Sequence, residues 1–504
     1  LNTQTLPAAT AAVSQTRSFT TVALIELWER FGYYGMQALI VYFMVERLGF
    51  DDSRANLVWG AAAALIYVAP AIGGWIGDKV LGTKRCMYLG AMILTLGYAL
   101  MAVPTDSTWF LFSALGVVVV GNGLFKPNTA NLVRKIYEGD DSKIDSAFTM
   151  YYMAVNVGST VSMLATPWIK DYVNATYGNG FGWHAAFAVC SLGLILGLIN
   201  LAFMRKTIAH VGSLPDELPL NVGKLVLVLA GGVVAVGASA VILQYQTLAR
   251  IFVYLAGVVV LGIFAFLINK SEPNERAGLI AALVLTLQTV FFFIFYQQMS
   301  TSLSLFALRN VDLDFTVFGN HLWTWSPAQF QALNAIWIMV LSPFLAWIYT
   351  AAGRSGRDLS IAGKFALGFA VVAAGFFTYG VAGSFAVNGL TSSWIMIAGY
   401  GLYSLGELLV SGLGLAMVAR YVPARMGGFM MGAYFVAVGI SQYLGGVVAN
   451  LASIPKDMTD PLQTLSVYTS LFNKLGVAAL ACTLIALAAL PLMRRLTATH
   501  QSHQ

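Results

Sequence analysis

The stretch from Ala277 to Leu308 contains no charged residue, and neither does the longer one from Phe365 to Gly406. About 20 mostly apolar residues suffice to carry a helix across the hydrocarbon core of a bilayer. The second run is long enough for two such spans, and Gly383, Ser384, Asn388 and Gly389 offer a turn between them. Composition agrees along the whole chain. Lys, Arg, Asp and Glu make up 10% of the 504 residues and hydrophobic residues 58%, where a soluble domain carries about 25% charged residues. Lipid is the solvent for most of this chain, and the expected class is an all-α, polytopic membrane protein.

Apolar stretches predict fourteen spans, near 19–45, 54–77, 86–103, 109–132, 146–168, 183–204, 223–243, 251–269, 277–299, 328–351, 364–382, 393–419, 427–450 and 468–493. Assigning the connecting loops alternately puts 19 of the 28 Lys and Arg on one side and 7 on the other, with Arg30 and Lys126 inside spans. Basic loops stay cytoplasmic, so both termini are expected in the cytoplasm. The net charge of +6 is dispersed through these short loops, and no nucleic-acid partner is expected. Cys86, Cys190 and Cys482 are far apart and show neither a disulfide framework nor metal-ligand spacing. The first eighteen residues are polar and lack the apolar core of a signal peptide, and the chain starts at Leu1, which suggests a processed or altered start.

Two junctions repeat a pattern. GGWIGDKVLGTKR (Gly73–Arg85) and LAWIYTAAGRSGR (Leu345–Arg357) both join an apolar helix end to a glycine turn and a basic cluster. The first resembles the signature of the major facilitator superfamily through Gly74, Asp78, Lys79, Gly82, Lys84 and Arg85. Half-to-half similarity of this kind is usual in repeat-built transporters. The expected organisation is a tail (1–18), a six-helix bundle (19–205), a linker with a two-helix insert (206–275), a second six-helix bundle (276–495) and a tail (496–504), the two tails lying in the cytoplasm.

Charge buried in a span costs at least roughly 2.5–3.5 kcal/mol per group on insertion scales and marks function by default. Five such residues occur: Glu26, Glu29 and Arg30 in the first span, Lys126 in the fourth, and Glu407 in the span at 393–419. Glu26, Glu29, Arg30, Tyr33 and Gln37 share one helical face. A polar stripe of this kind faces a water-filled cavity or partner groups. Packing alone, by an internal Glu–Arg clamp, is the plainer alternative. Lys126 sits in GNGLFKPN, where Pro127 frees a backbone carbonyl, and it is also close enough to one end of its span to snorkel. Glu407 lies too deep for that. Three carboxylates face two cations, and burial favours the uncharged form of a carboxyl group, so one of the three is suited to loading and releasing a proton. If Arg30 and Lys126 belong to one bundle and Glu407 to the other, a zwitterion with separated ends fits between them.

These segments closely resemble the proton-coupled oligopeptide transporter family. ELWERFGYY matches its first-helix signature, while GNGLFKPN, FTMYYMAVNVGS (Phe148–Ser159) and SLGELLVSGLGLAM (Ser404–Met417) resemble three further motifs in order. The resemblance covers essentially the whole chain, including the two-helix insert of bacterial members. It implies a proton-coupled symporter that imports di- and tripeptides and peptide-like compounds by alternating access. Such a carrier is a monomer in the inner membrane of a bacterium and needs no cofactor, protons being the coupling ion. Carried onto matching positions, Arg30 and Lys126 hold the peptide carboxylate, and Glu407 with Asn156 and Asn334 holds the amino terminus. Tyr33, Tyr34 and Tyr67 line the pocket, and Tyr434 stands where relatives often have tryptophan. Glu26, Glu29 and Glu407 are the proton-coupling candidates. Gln37 and Gln297 stand where relatives often have an arginine and an acid, so a neutral amide contact is expected at that gate. An anion facilitator would leave Glu407 unexplained, and a drug exporter would carry fewer fixed charges. No H-E-x-x-H, G-x-S-x-G or phosphate loop points to an enzyme or an ATP-driven pump.

Overall fold

In a computed structural model, residues 14–501 are described apart from 179, 356–358 and 424–425. The tail up to residue 13, Arg357, Arg425 and the last three residues thus lie outside the described residues. Fourteen long helices dominate: α1 Gln15–Tyr42, α2 Asp52–Lys79, α3 Thr83–Met101, α4 Thr108–Ile136, α5 Asp141–Tyr177, α6 Phe181–Met204, α7 Val222–Gln244, α8 Gln246–Lys270, α9 Pro273–Gln297, α10 Ala332–Arg354, α11 Ile361–Gly380, α12 Ser393–Tyr421, α13 Gly427–Ala449 and α14 Pro461–Gln501. Their starts are chemically marked. Ser14, Asp51, Ser107, Asn221 and Ser360 each accept a hydrogen bond from the backbone N–H three residues on, satisfying a donor that the helix itself leaves free. Eleven helical stretches among the described residues are long and apolar enough to cross a membrane. The remaining three, α1, α3 and α5, pack among them.

Several helices outrun the expected spans. α5 covers Asp141–Tyr177 where hydropathy marks 146–168, and α14 covers Pro461–Gln501 where it marks 468–493. Hydropathy registers only the lipid-level part of a helix, whereas the helix continues until something stops it, at α5 the left-handed Gly178. The charge-free run after Ala277 breaks at Thr301 and resumes as a short helix, Ser302–Asn310. Between α11 and α12, Asn388 and Gly389 both adopt positive φ (53° and 81°) and make the turn.

The packing repeats. Within the first six helices α3 lies on α4 and α6, α1 on α5 and α6, and α2 on α4; within α9–α14 the same pairings recur eight helices later. The bundles meet where α2 lies against α13 and, symmetrically, α5 against α10. This is the major facilitator architecture, two six-helix bundles with an insert. Of the inserted pair, α7 packs on α4 and α8 on α13 and α9.

Small residues make the close approaches possible, as helices in lipid require. A Cβ at Gly73 of α2 would run into the carbonyl of Gly123 of α4, and one at Gly77 into the side chain of Asn128. The α2–α3 turn is fastened from outside the bundle. Ser213 Oγ accepts from Thr83 N (3.0 Å) and donates to Gly77 O (2.8 Å), while Asp216 accepts from Lys84 N (3.1 Å) and Arg85 N (3.4 Å). A linker carboxylate therefore caps the start of α3. Gly82 of this turn has φ 110° beside Asp216, a conformation for which glycine is suited.

Replacing Gly73 by Leu sets a side chain against backbone. We expect a loss of at least about 1–3 kcal/mol, read as a lower Tm in detergent. Gly262→Ala, where a Cβ meets nothing within 4 Å, should leave Tm essentially unchanged.

Candidate functional site

α1 brings Glu26, Glu29 and Arg30 to one buried face; all three are at most 3% exposed. Arg30 Nε pairs with Glu29 Oε2 and lies 3.4 Å from Glu26 Oε1, and an Nη donates to Asn122 Oδ1 on α4 (3.2 Å). Asn122 is itself held through its amide to Ile66 O (3.1 Å). Glu26 Oε2 accepts from Thr129 Oγ1 (3.1 Å), which also meets the Tyr151 hydroxyl (2.9 Å). Glu29 Oε1 is buried with no hydrogen-bond partner. One arginine thus serves two carboxylates, and one carboxylate oxygen is left over.

Lys126 projects from the same bundle. It makes no hydrogen bond or ion pair with the described residues, and its ammonium lies 5.2 Å from the Tyr67 ring centroid. Such a contact stabilises a cation modestly and leaves its N–H donors free for an anion. Arg30 likewise lies over Tyr33 and Tyr34, at 4.9 and 5.9 Å.

The opposite pole stands on the second bundle. Glu407 of α12 is 7% exposed, and its Oε2 accepts from Asn334 Nδ2 of α10 (2.7 Å). Asn334 also donates to Ser404 Oγ (3.1 Å). No cation pairs with Glu407 among the described residues. Tyr34 and Tyr67 lie within electrostatic range of both Arg30 and Glu407, so the same two tyrosines neighbour both poles. The Tyr67 ring lies tilted against that of Phe293 of α9 (centroids 6.1 Å apart), and Tyr434 is buried beside Thr289.

Two residues sit differently from expectation. Asn156 is not one of them: it donates to Tyr152 O one turn back (2.8 Å), the structural bond its spacing allows, and Tyr152 lies within electrostatic range of Glu407. Gln37 and Gln297 are both buried, but no hydrogen bond joins them. Gln297 lies against Gly445 of α13, and its Nε2 has no partner. A glycine there lets α13 close over the side chain. In the motif after α2, Asp78 accepts from Asn131 of α4 (2.8 Å), and Lys79 is exposed.

The charged clasp between bundles is one the sequence did not announce. Asp52, 2% exposed at the start of α2, takes both Arg309 Nη atoms (2.6 and 2.8 Å) and Ile454 N (3.0 Å), and Arg309 also donates to Tyr468 (2.7 Å). Nearby, Tyr42 donates to Ser304 O, Trp59 to Ser300, Asn56 to Asn450 and Gln331 to Ala38 O. All lie toward the end of the molecule away from the chain termini, and that end is closed.

Residues 84–466 match the family described as PTR2: POT family. Dipeptide and tripeptide permease B of Aliivibrio fischeri is 42% identical over 491 residues, 97% of each chain. Dipeptide and tripeptide permease A of Salmonella typhimurium is 40% identical, covering 96% of this chain and 94% of its own. Among solved structures, tetrameric PepTSo2 is 73% identical, with a TM-score of 0.89, and covers 96% of this chain and all of its own. A peptide transporter POT in complex with alafosfalin is 31% identical, with a TM-score of 0.76 and 95% coverage of both.

Removing a charge from a desolvated, bidentate pair leaves its partner unsatisfied. We therefore expect Asp52→Asn to open the clasped end. Spin labels at positions 177 and 385, on the two bundles at that end, should show a longer distance population than in the parent protein; an unchanged distribution would mean that the clasp does not hold this end shut.

Proposed function

This chain belongs to the POT family, and from that premise we infer that it is a proton-coupled symporter importing di- and tripeptides through the cytoplasmic membrane of a bacterium by alternating access. The observation that carries the residue-level reading is the pair of poles that make no ion pair with any of the described residues: Lys126 on the first bundle and Glu407 on the second. A peptide supplies the missing partner at each end. Its carboxylate goes to Lys126 and Arg30, its ammonium to Glu407 held in place by Asn334, with Tyr33, Tyr34, Tyr67 and Tyr434 along its length and Asn156 ordering the α5 wall. The excess of basic loop residues assigns the chain termini to the cytoplasm and the clasped end to the outside. Each copy carries its own complete set of these residues, so a single chain is the transporting unit, whether or not copies assemble.

Alternating access needs the two bundles to exchange contacts, and Gly74, Asp78 and Lys79 at the end of α2, with Gly82 in the turn after it, are the elements that serve this exchange at the cytoplasmic face. Proton coupling runs through Arg30. While Glu29 and Glu26 are ionised they hold the guanidinium; a proton on one of them, at the vacant Glu29 Oε1 first, releases Arg30 to the substrate carboxylate. Loading of proton and peptide is then linked through one side chain. Gln37 and Gln297 take no part in this step, since amides do not titrate.

Two experiments in liposomes test this. Arg30→Ala and Lys126→Ala should each abolish measurable dipeptide uptake, because a charge-assisted hydrogen bond is worth about 1.5–3 kcal/mol and more when desolvated. Glu407→Gln should raise the KM for peptides with a free amino terminus. Transport of N-acetylated peptides as fast as free ones by the parent protein would remove the ammonium role from Glu407.

In the second, Glu26→Gln or Glu29→Gln should lose proton-driven accumulation while still exchanging labelled dipeptide at equal concentrations, and Gln297→Ala should keep its coupling. The reverse pattern would move the proton site away from α1.

A further inference from the structure

The inserted helices straddle the line along which the bundles meet. α7 rests on the first bundle through α4, and α8 on the second through α13 and α9. Between α8, α2 and α13 runs a crevice of about 680 Å³. Every residue along its walls is apolar, among them Ala64 and Val68 of α2, Leu255 and Val259 of α8, and Gly432 and Val436 of α13. Along α8 it reaches from Ala249 to Ile263, roughly 21 Å at about 1.5 Å per residue, which is more than one leaflet of a hydrocarbon core of about 30 Å.

Water has no hydrogen-bond partner in such a space, and protein interiors do not sustain voids of this size. The surrounding solvent is a fluid of acyl chains. At the outer end of the crevice stands Arg250, next to the wall residue Ala249. It is exposed and makes no ion pair or hydrogen bond with the described residues. Its depth is marked by Tyr245 and Trp109, both exposed, with ring centroids 6.3 Å apart; aromatic side chains of this kind settle at the headgroup level.

We propose that the crevice is a phospholipid site, with one acyl chain between α8, α2 and α13 and the lipid phosphate on Arg250, and that the bound lipid favours the conformation closed at the extracellular end. The coupling follows from the walls. They belong to both bundles and to the insert, so the crevice keeps this shape only while α2 and α13 lie together as they do here. A ligand that fits one conformation better shifts the equilibrium toward it. This step rests on the alternating-access reading, but lipid binding itself does not.

The test uses the full-length protein. After purification in mild detergent, phosphatidylethanolamine and phosphatidylglycerol are added back, and retained phospholipid is counted by native mass spectrometry. Arg250→Ala should lower retention about tenfold, the loss of one charge-assisted contact. Gly432→Leu should lower it as much by filling the crevice, since a Cβ there meets only Ala71, at 3.9 Å. Val233→Ala on the exposed face of α7 should retain lipid as the parent does. In nanodiscs, spin labels at 177 and 385 should report a larger open population for Arg250→Ala and a closed one for Gly432→Leu, whose side chain stands in for the lipid. Ala256→Phe fills the same space from α8 and replaces Gly432→Leu if that variant elutes aggregated. Equal retention in all proteins overturns the site; lost retention with unchanged distances overturns the coupling. Proton-driven uptake by the parent protein, measured in parallel, shows whether the transport reading stands apart from either result.

Discussion

A bilayer gives an unpaired charge nothing to lean on, and the arrangement of this carrier follows from how its few intramembrane charges are and are not satisfied. Arg30 is shared by two carboxylates and an asparagine on a neighbouring helix. That sharing fixes α1 against α4 and consumes most of what Arg30 can offer. Lys126 and Glu407, on opposite bundles, make no ion pair with any of the described residues. Apart, each is expensive; together with a zwitterion, both are neutralised at once. On the proposed reading, substrate binding and the approach of the two bundles become the same event.

Closure at the end away from the chain termini is of a different kind. There the contacts are direct and dense: a bidentate Asp52–Arg309 pair extended to Tyr468, and backbone brought close by glycine, since a Cβ at Gly60 would lie 3.1 Å from Gln442 O and one at Gly446 would strike Asn56 O. Buried ion pairs of this sort are costly to break by removing one partner, and the water of an opening mouth would resolvate both. The clasp is therefore strong when dry and weak when wet, which suits an element that must let go as a whole.

Much of this was legible in the sequence because membrane helices leave few places for charge to hide. Glu26, Glu29 and Arg30 declare their common face through spacing alone, and the apolar runs gave the fourteen helices. What stayed hidden was pairing at long range. Asp52 and Arg309 are 257 residues apart, each beside the end of an apolar run where an ordinary loop charge would sit, and no local pattern joins them. No local pattern singles out Asn122; its carboxamide between Arg30 and Ile66 O gives it its weight. Gln37 and Gln297 fit a reciprocal replacement by residue type, but the approach of α13 at Gly445 decides where Gln297 lies. Residue type shows that a group needs a partner, whereas only the packing shows which partner is in reach.

The fastening of the α2–α3 turn by Ser213 and Asp216 has a mechanical consequence. The polypeptide between the two bundles is not a slack tether along its full length. Its first part is pinned to the first bundle at Ser213 and Asp216, and α7 is laid along α4 of the same body. α8 is seated on the second body. Between α7 and α8 stands a single residue, Tyr245. Any relative rotation of the two bodies must be absorbed where these helices meet, so the compliance of the whole connection is concentrated in one short joint, and the stiffness of that joint sets how freely the two bodies rock.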